Sequence, residues 1–269
     1  MSKMSNMKVF ALLILSIALL VWATMGQALT FGAGKEGRGY DRWATDVTHA
    51  FNSRGVESDK VNLKGSDDLT LGICAGEIDV APSQQDAAYQ RQIEGCELQE
   101  LWTYPSEEFM FLAVPPDSKI DELEDLKETD VVITDAAGSG SDFTARQIRR
   151  IEMSDKGNKS PWAKFQLHNK SVKSAVGLGS AGKIAGVFFV GSINSEEIKF
   201  FLKNGWSFVE VYDKNLDDLK FNGKPLYEGQ RVKLPGFGKV YTYKVKTSIY
   251  GKELGEQEQE IFESVMSTR

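Results

Sequence analysis

The chain has 269 residues, with 38 acidic against 32 basic side chains and a formal net charge of −6. That balance argues against nucleic acid as the main partner, and the length allows one large or two medium domains with a real core. His49 and His168 lie far apart, outside any HExxH or cysteine context, so a zinc site has no support in the pattern.

The first 28 residues run from Lys3 and Lys8 through the apolar stretch Val9 to Ala23 to the small-residue end Gly26-Gln27-Ala28. This is the order of a secretory signal peptide, and the absence of a following cysteine argues against a lipoprotein anchor. The apolar run is short of the roughly 18 residues that span a bilayer. Removing the segment takes away two lysines and no acid, so the mature chain is expected to be more acidic still, soluble, and periplasmic or extracellular. In an exported chain the pair Cys74 and Cys96 favours a disulfide, worth about 3 kcal/mol, over two free buried thiols.

Leu29-Thr30-Phe31 reads as a strand. It leads into the glycine loop Gly32 to Tyr40 and a helix with apolar positions Trp43, Ala44, Val47, Ala50 and Phe51. Gly32, Gly34 and Gly37 fit GxGxxG, but the next strand, near Lys60 to Leu63, lacks the acid that would hold a ribose hydroxyl. Gly34-Lys35-Glu36 likewise lacks the Ser or Thr of a Walker A loop. A glycine loop after a strand and before a helix is itself the arrangement of an anion cradle at a helix N-terminus.

A helix follows at Asp67 to Ala75, started by Ser66 and stopped near Gly76, and then the strand Ile78 to Ala81. The polar cluster Gln84-Gln85-Asp86 sits after that strand. Asp86 is most simply an N-cap, whereas Gln84 has no capping role and is the better ligand candidate.

Leu98 to Tyr104 and Phe109 to Val114 read as strands, and Pro115-Pro116 as a hinge. After the strand Val131 to Thr134, the loop Ala136 to Ser141 opens into a long helix. Its Gly138, Ser139, Gly140 and Ser141 either bind a carboxylate or phosphate or form a plain capped turn.

Further on, Phe165 to His168, Ala185 to Val190 and Trp206 to Tyr212 alternate with helices. Arg231 to Leu234 and Lys239 to Tyr250 resemble an exposed antiparallel ribbon whose lysines form a solvated face. Two runs of alternating strands and helices predict an α/β fold of two lobes, each a mainly parallel sheet flanked by helices.

The order of the glycine loop, Ala75-Gly76-Glu77-Ile78-Asp79-Val80-Ala81, Gln84-Gln85-Asp86-Ala87-Ala88-Tyr89, Leu123-Glu124-Asp125-Leu126-Lys127, Gly138-Ser139-Gly140-Ser141 and Gly182 to Phe189 resembles the TAXI family. These are the solute-binding proteins of TRAP transporters, within the type 2 periplasmic binding fold. The resemblance implies two lobes joined by a two-strand hinge, which close on a small organic anion of the amino-acid or dicarboxylate class and deliver it to a membrane permease. No cofactor and no catalysis are implied.

It also places ligand contacts at Gly32 to Tyr40, at Gln84, Gln85 and Asp86, and at Gly138 to Ser141. Lys35, Glu36, Arg38, Gln85 and Ser141 depart from the family's usual residues. Lobe one is expected over 29–113 plus 213–269 and lobe two over 114–212, with the crossings near Pro115 and Tyr212. Tyr40 and Phe189 are core or rim residues that could also pack on a ligand. The competing readings are an exported hydrolase, which lacks a GxSxG elbow, and a sensor or interaction protein that keeps the fold without transport.

Overall fold

A computed structural model describes residues 28–104, 107–221 and 223–268. Apart from Ala28, the expected signal peptide lies outside the described residues.

The first helix, α1 (Gly39–Ser53), buries Trp43, Ala44, Val47 and Phe51, the three-and-four spacing legible in the sequence. It packs on a five-stranded sheet of β1 (Leu29–Ala33), β2 (Ser58–Asn62), β3 (Val80–Gln84), β4 (Gln99–Thr103) and, from the far end of the chain, β14 (Thr247–Gly251). The order is β2-β1-β3-β14-β4. The β2, β1 and β3 strands are parallel, and β14 runs antiparallel between β3 and β4. Helices α2 (Ser66–Ala75) and α3 (Gln85–Ile93) complete this half. Cys74 and Cys96 form a disulfide, with Cα atoms 5.8 Å apart, that ties the end of α2 to the segment beyond α3.

A seven-stranded sheet forms the second half from β5 (Glu108–Val114), β6 (Val131–Thr134), β7 (Gln166–His168), β8 (Gly186–Gly191), β9 (Ser207–Val209), β12 (Tyr227–Leu234) and β13 (Gly238–Val245). The short β10 (Lys220–Phe221) and β11 (Lys224–Pro225) pair only with each other. Its helices are α4 (Gly140–Lys156), α5 (Pro161–Lys164), α6 (Val172–Ser180), α7 (Glu196–Lys203) and α8 (Lys214–Asp218). The terminal α9 (Glu256–Met266) returns to α1 in the first half, where Phe262 joins Phe31, Trp43 and Phe51.

The ladders divide the chain at different points from the expected lobes. β5 pairs with β8 and β9, and the ribbon β12-β13 pairs with β5, so 108–114 and 227–245 belong to the second sheet. The reason is apolar: Val232, Leu234 and Val240 pack with Phe109, Phe111, Phe189 and Phe208 in one cluster. The ribbon was expected to run on to Tyr250, but the chain leaves the second sheet at Lys246 and Thr247 starts β14 in the first. The chain changes sheets at Lys246, and backbone hydrogen bonds join the two halves there: Tyr104 N–H donates to Thr247 O at 3.1 Å and Gln85 N–H to Lys246 O at 2.8 Å. Pro115 follows the end of β5 and is not a crossing. The expected lysine face is partly used in ion pairs: Lys244 meets Glu107 and Lys246 meets Glu100.

Candidate functional site

Register sets which ends of the two sheets meet. In the first sheet, Thr247 lies opposite Gln84, so the start of β14 sits at the carboxyl end of β3. In the second, Phe109 lies opposite Gly191, so the start of β5 sits at the carboxyl end of β8. Both carboxyl-end edges face a common seam, the usual location for ligands in open α/β sheets.

Two glycines make the seam tight. A Cβ on Gly65, the residue before α2, would lie 2.8 Å from Gly138 O and 3.0 Å from Ser139 Cα. A Cβ on Gly140, the first residue of α4, would collide with the side-chain amide of Gln84. Glycine at these points lets backbone from one half approach the other.

The glycine loop after β1 is held by a carboxylate of its own. Asp41, in the first turn of α1, accepts from Gly37 N–H at 2.8 Å, Lys60 Nζ at 2.6 Å and Asn62 Nδ2 at 2.8 Å. Those donors, Lys60 foremost, keep its carboxyl well below the usual range. Gly34 is buried, and its carbonyl accepts from Asn62. Lys35 is exposed, and so is Arg38, whose Nη1 reaches Glu197 Oε1 on α7 at 3.0 Å across the seam.

The loop before α4 repeats the device. Gly138 N–H donates to Asp142 Oδ2 at 3.3 Å, Thr134 Oγ1 to Asp142 Oδ1 at 2.7 Å, and Arg146 Nε also reaches Oδ1 at 2.8 Å. Ser139 caps α4, its Oγ accepting from Asp142 N–H at 3.2 Å. Ser141 Oγ accepts from Val190 N–H at 2.9 Å, which fastens the helix to β8. Each anion cradle expected from the sequence thus already holds a carboxylate of the chain.

The middle of the seam differs. Gln84, not Asp86, occupies the N-cap position of α3, and its side chain makes no capping bond. Gln84 is 3% exposed and its Oε1 has no hydrogen-bond partner. Gln85 is buried. Asp86, fully buried in the first turn of α3, accepts at Oδ2 from Thr144 Oγ1 of α4 at 2.6 Å and Tyr227 Oη of β12 at 3.0 Å. Burial pushes its carboxyl up to about 6, against the lowering pull of those hydrogen bonds. A surrounding polar layer follows, in which Arg150 bonds both Gln90 and Gln147.

Beside Gln84, Glu108 accepts from Thr247 Oγ1 at 3.0 Å and is hydrogen-bonded by the Gln84 side chain. Burial, with the Asp86 charge behind it, raises its carboxyl above the ordinary range. Tyr40 is half-buried, with its hydroxyl 3.5 Å from Thr247 Oγ1 and its ring edge-on to Tyr104. Burial and Glu108 push the phenol up. Phe189, by contrast, is core, packed among Phe111, Phe201 and Phe208.

The structure therefore brings Tyr40, Gln84, Asp86, Gly138, Ser139 and Gly140 to one seam and leaves Lys35 and Arg38 at its rim. Sequence reasoning missed Glu108, Thr247, Gly65, Thr144 and Tyr227. Glu107-Glu108 reads locally as a turn before an apolar strand, and Tyr227 lies in a stretch without a recognisable pattern.

No family model matches the chain, and no curated protein matches it. Solved structures do. XAC2383 from Xanthomonas citri bound to ATP aligns with a TM-score of 0.56 at 10% identity, over 89% of this chain and 82% of that one. The alkanesulfonate-binding protein SsuA from Xanthomonas axonopodis pv. citri bound to MOPS gives 0.50 at 14% identity, over 90% and 72%. A binding protein component of an ABC phosphonate transporter from Pseudomonas aeruginosa gives 0.50 at 12%, over 88% and 72%. At such identities the likeness shows the fold: two mixed sheets flanked by helices and facing each other across a seam, the type 2 periplasmic binding fold.

Proposed function

We propose that this chain is an extracytoplasmic solute-binding protein that captures a small organic anion, of the amino-acid or dicarboxylate class, by hinge closure and delivers it to a TRAP-type membrane permease. One observation carries the reading. Two sheets present their strand ends to a shared seam, are linked where the chain changes sheets at Lys246, and are latched across it by Asp86 with Thr144 and Tyr227. The secretory order of the first 28 residues supports export, and the TAXI-like run of motifs supports a TRAP partner.

In this reading lobe one is 29–104 with 247–268, and lobe two is 107–245. Tyr40, Gln84, Gly138, Ser139 and Gly140 contact the solute, with Gly34, Lys35 and Arg38 at its entrance. Gln85, Asp86 and Ser141 hold the frame that closes. Closure is selected because only the closed state offers donors and acceptors from both lobes.

A sensor or interaction protein without transport is the second reading. The approach of Gly140 to Gln84 favours it, since the chain's own side chain fills the space between the lobes. The test is to unfold and refold the purified protein, which removes any resident solute, and then to measure melting temperature and radius of gyration against a panel of amino acids and dicarboxylates. A true ligand at 100 times its dissociation constant stabilises by about 2.7 kcal/mol. It should also hold the protein compact. No shift across the panel would leave the second reading standing.

A further inference from the structure

We infer that the middle of the seam recognises a protonated amine, with the Glu108 carboxylate and Gln84 Oε1 as its acceptors, so that the solute is an amino-acid-like zwitterion or an amine rather than a dicarboxylate. The inference rests on the solute-binding reading and adds the ligand's chemistry to it.

Hydrogen-bond direction carries the argument. The Gln84 side chain donates its amide NH2 to Glu108, and its oxygen is left facing Gly140 with no donor. Thr247 Oγ1 spends its proton on Glu108, so the Tyr40 hydroxyl is the donor in its 3.5 Å contact with Thr247. Thr247 and Gln84 both point donors at Glu108, and beside them lies one buried acceptor, Gln84 Oε1, without a partner. A buried oxygen left unpaired is costly, and a ligand N–H would remove that cost.

Charge points the same way. Asp86 lies close enough to Glu108 to raise its carboxyl further. The neighbouring cations are committed to other acids: Lys60 to Asp41, Arg146 to Asp142, Lys244 to Glu107 and Lys246 to Glu100. Arg150, on the Asp86 side, bonds Gln90 and Gln147. Tyr40 and Tyr227, whose phenols are pushed up, stay neutral. A carboxylate entering beside Glu108 would add a like charge where the Asp86 charge already acts, whereas an ammonium would be attracted to it. Lys35 and Lys64, exposed at the rim, remain for the other end of a zwitterion.

The experiment pairs probes that differ only in the amine: L-glutamate against glutarate, and L-valine against 3-methylbutanoate. Binding to refolded protein is read by calorimetry at neutral pH. The expected result is binding by the amine-bearing member of at least one pair and none by its partner, with a loss of about 100-fold or more in Glu108→Gln, the usual scale for removing one side of a buried charge pair. Glu108→Asp, which keeps the charge, should recover part of the affinity, and melting curves confirm that each variant is folded. Equal binding of glutarate and glutamate, or unchanged affinity in Glu108→Gln, would overturn the inference while leaving solute binding intact. No binding by any probe would remove both.

Discussion

Asp41 and Asp86 sit in equivalent places, each in the first turn of a helix that follows a parallel strand of the first sheet, yet their chemistry is opposite. Asp41 faces a lysine, an amide and a backbone N–H and is held as a firm anion. Asp86 faces two neutral hydroxyls from the other half of the molecule, and burial lifts it to about 6. A carboxylate with a charged donor stabilises a loop. One with only neutral donors is tolerated by a closed seam but not preferred as an anion. The outer loops are therefore self-contained, and the middle of the seam is left short of positive charge.

The contrast breaks most completely where the halves touch. Gly140→Val would drive a branched side chain into Gln84 and keep the lobes apart. Solute affinity should fall by about 100-fold or more, since the binding-competent closed state would be populated at about 1% or less. Scattering should show a larger radius of gyration than the wild type. Gly65→Val, approaching Gly138 from the other half, should reproduce the phenotype. A compact Gly140→Val protein with normal affinity would mean that the seam is not the closing surface.

Next comes pH. The native state binds the Asp86 proton more tightly than the unfolded chain, so the stability it contributes is full below its unfolded value near 3.8 and is lost as pH rises to about 6. The loss amounts to about 3 kcal/mol. Asp41 runs the other way: its contribution is present above its unfolded value and fades as pH falls below it. Denaturant curves between pH 4 and 7 should show Asp86→Asn, which stays neutral, lacking the decline of the wild type. An unchanged slope in Asp86→Asn would show that the carboxyl is not held above its ordinary range.

How much of this was legible depends on range. The α1 face of Trp43, Val47 and Phe51, the alternating strands and the cysteine pair were readable because each is set by local spacing or by compartment. Asp142 and Asp41 were not read as occupants of the glycine loops, because an acid in a first helical turn is ordinary and only the loop's curl brings Gly37 N–H onto Asp41. The point where the chain changes sheets was hidden for another reason. Lys239 to Tyr250 alternates without interruption, and nothing local marks Lys246 as the point where the chain changes sheets. Glu108, Thr247 and Tyr227 meet their partners only through that crossing, so their roles follow from topology alone.

A smaller effect tests whether Gln84 serves the solute or the fold. Gln84→Leu removes a buried oxygen without a partner and also the amide that bonds Glu108, two terms of about 1–3 kcal/mol each with opposite signs. The stability of the empty protein should therefore move by less than about 1 kcal/mol, while affinity for an amine-bearing probe should collapse. A large loss of stability with affinity retained would make Gln84 a structural residue.

The smallest expected effect belongs to the rim. Arg38 and Glu197 join the halves at 3.0 Å, but their side chains are 62% and 26% exposed, so water and salt screen the pair and its worth is below about 1 kcal/mol. Arg38→Ala should weaken solute affinity by no more than about fivefold, and the difference should vanish in about 1 M salt, where the Debye length shrinks to about 3 Å. Losses from Gln84→Leu and Glu108→Gln, whose partners are shielded from solvent, should persist there. If Arg38→Ala instead cost 100-fold and kept that cost in high salt, Arg38 would be a direct solute contact. The charge selecting the ligand would then lie at the rim as a cation, and the acidic middle of the seam would only hold the hinge.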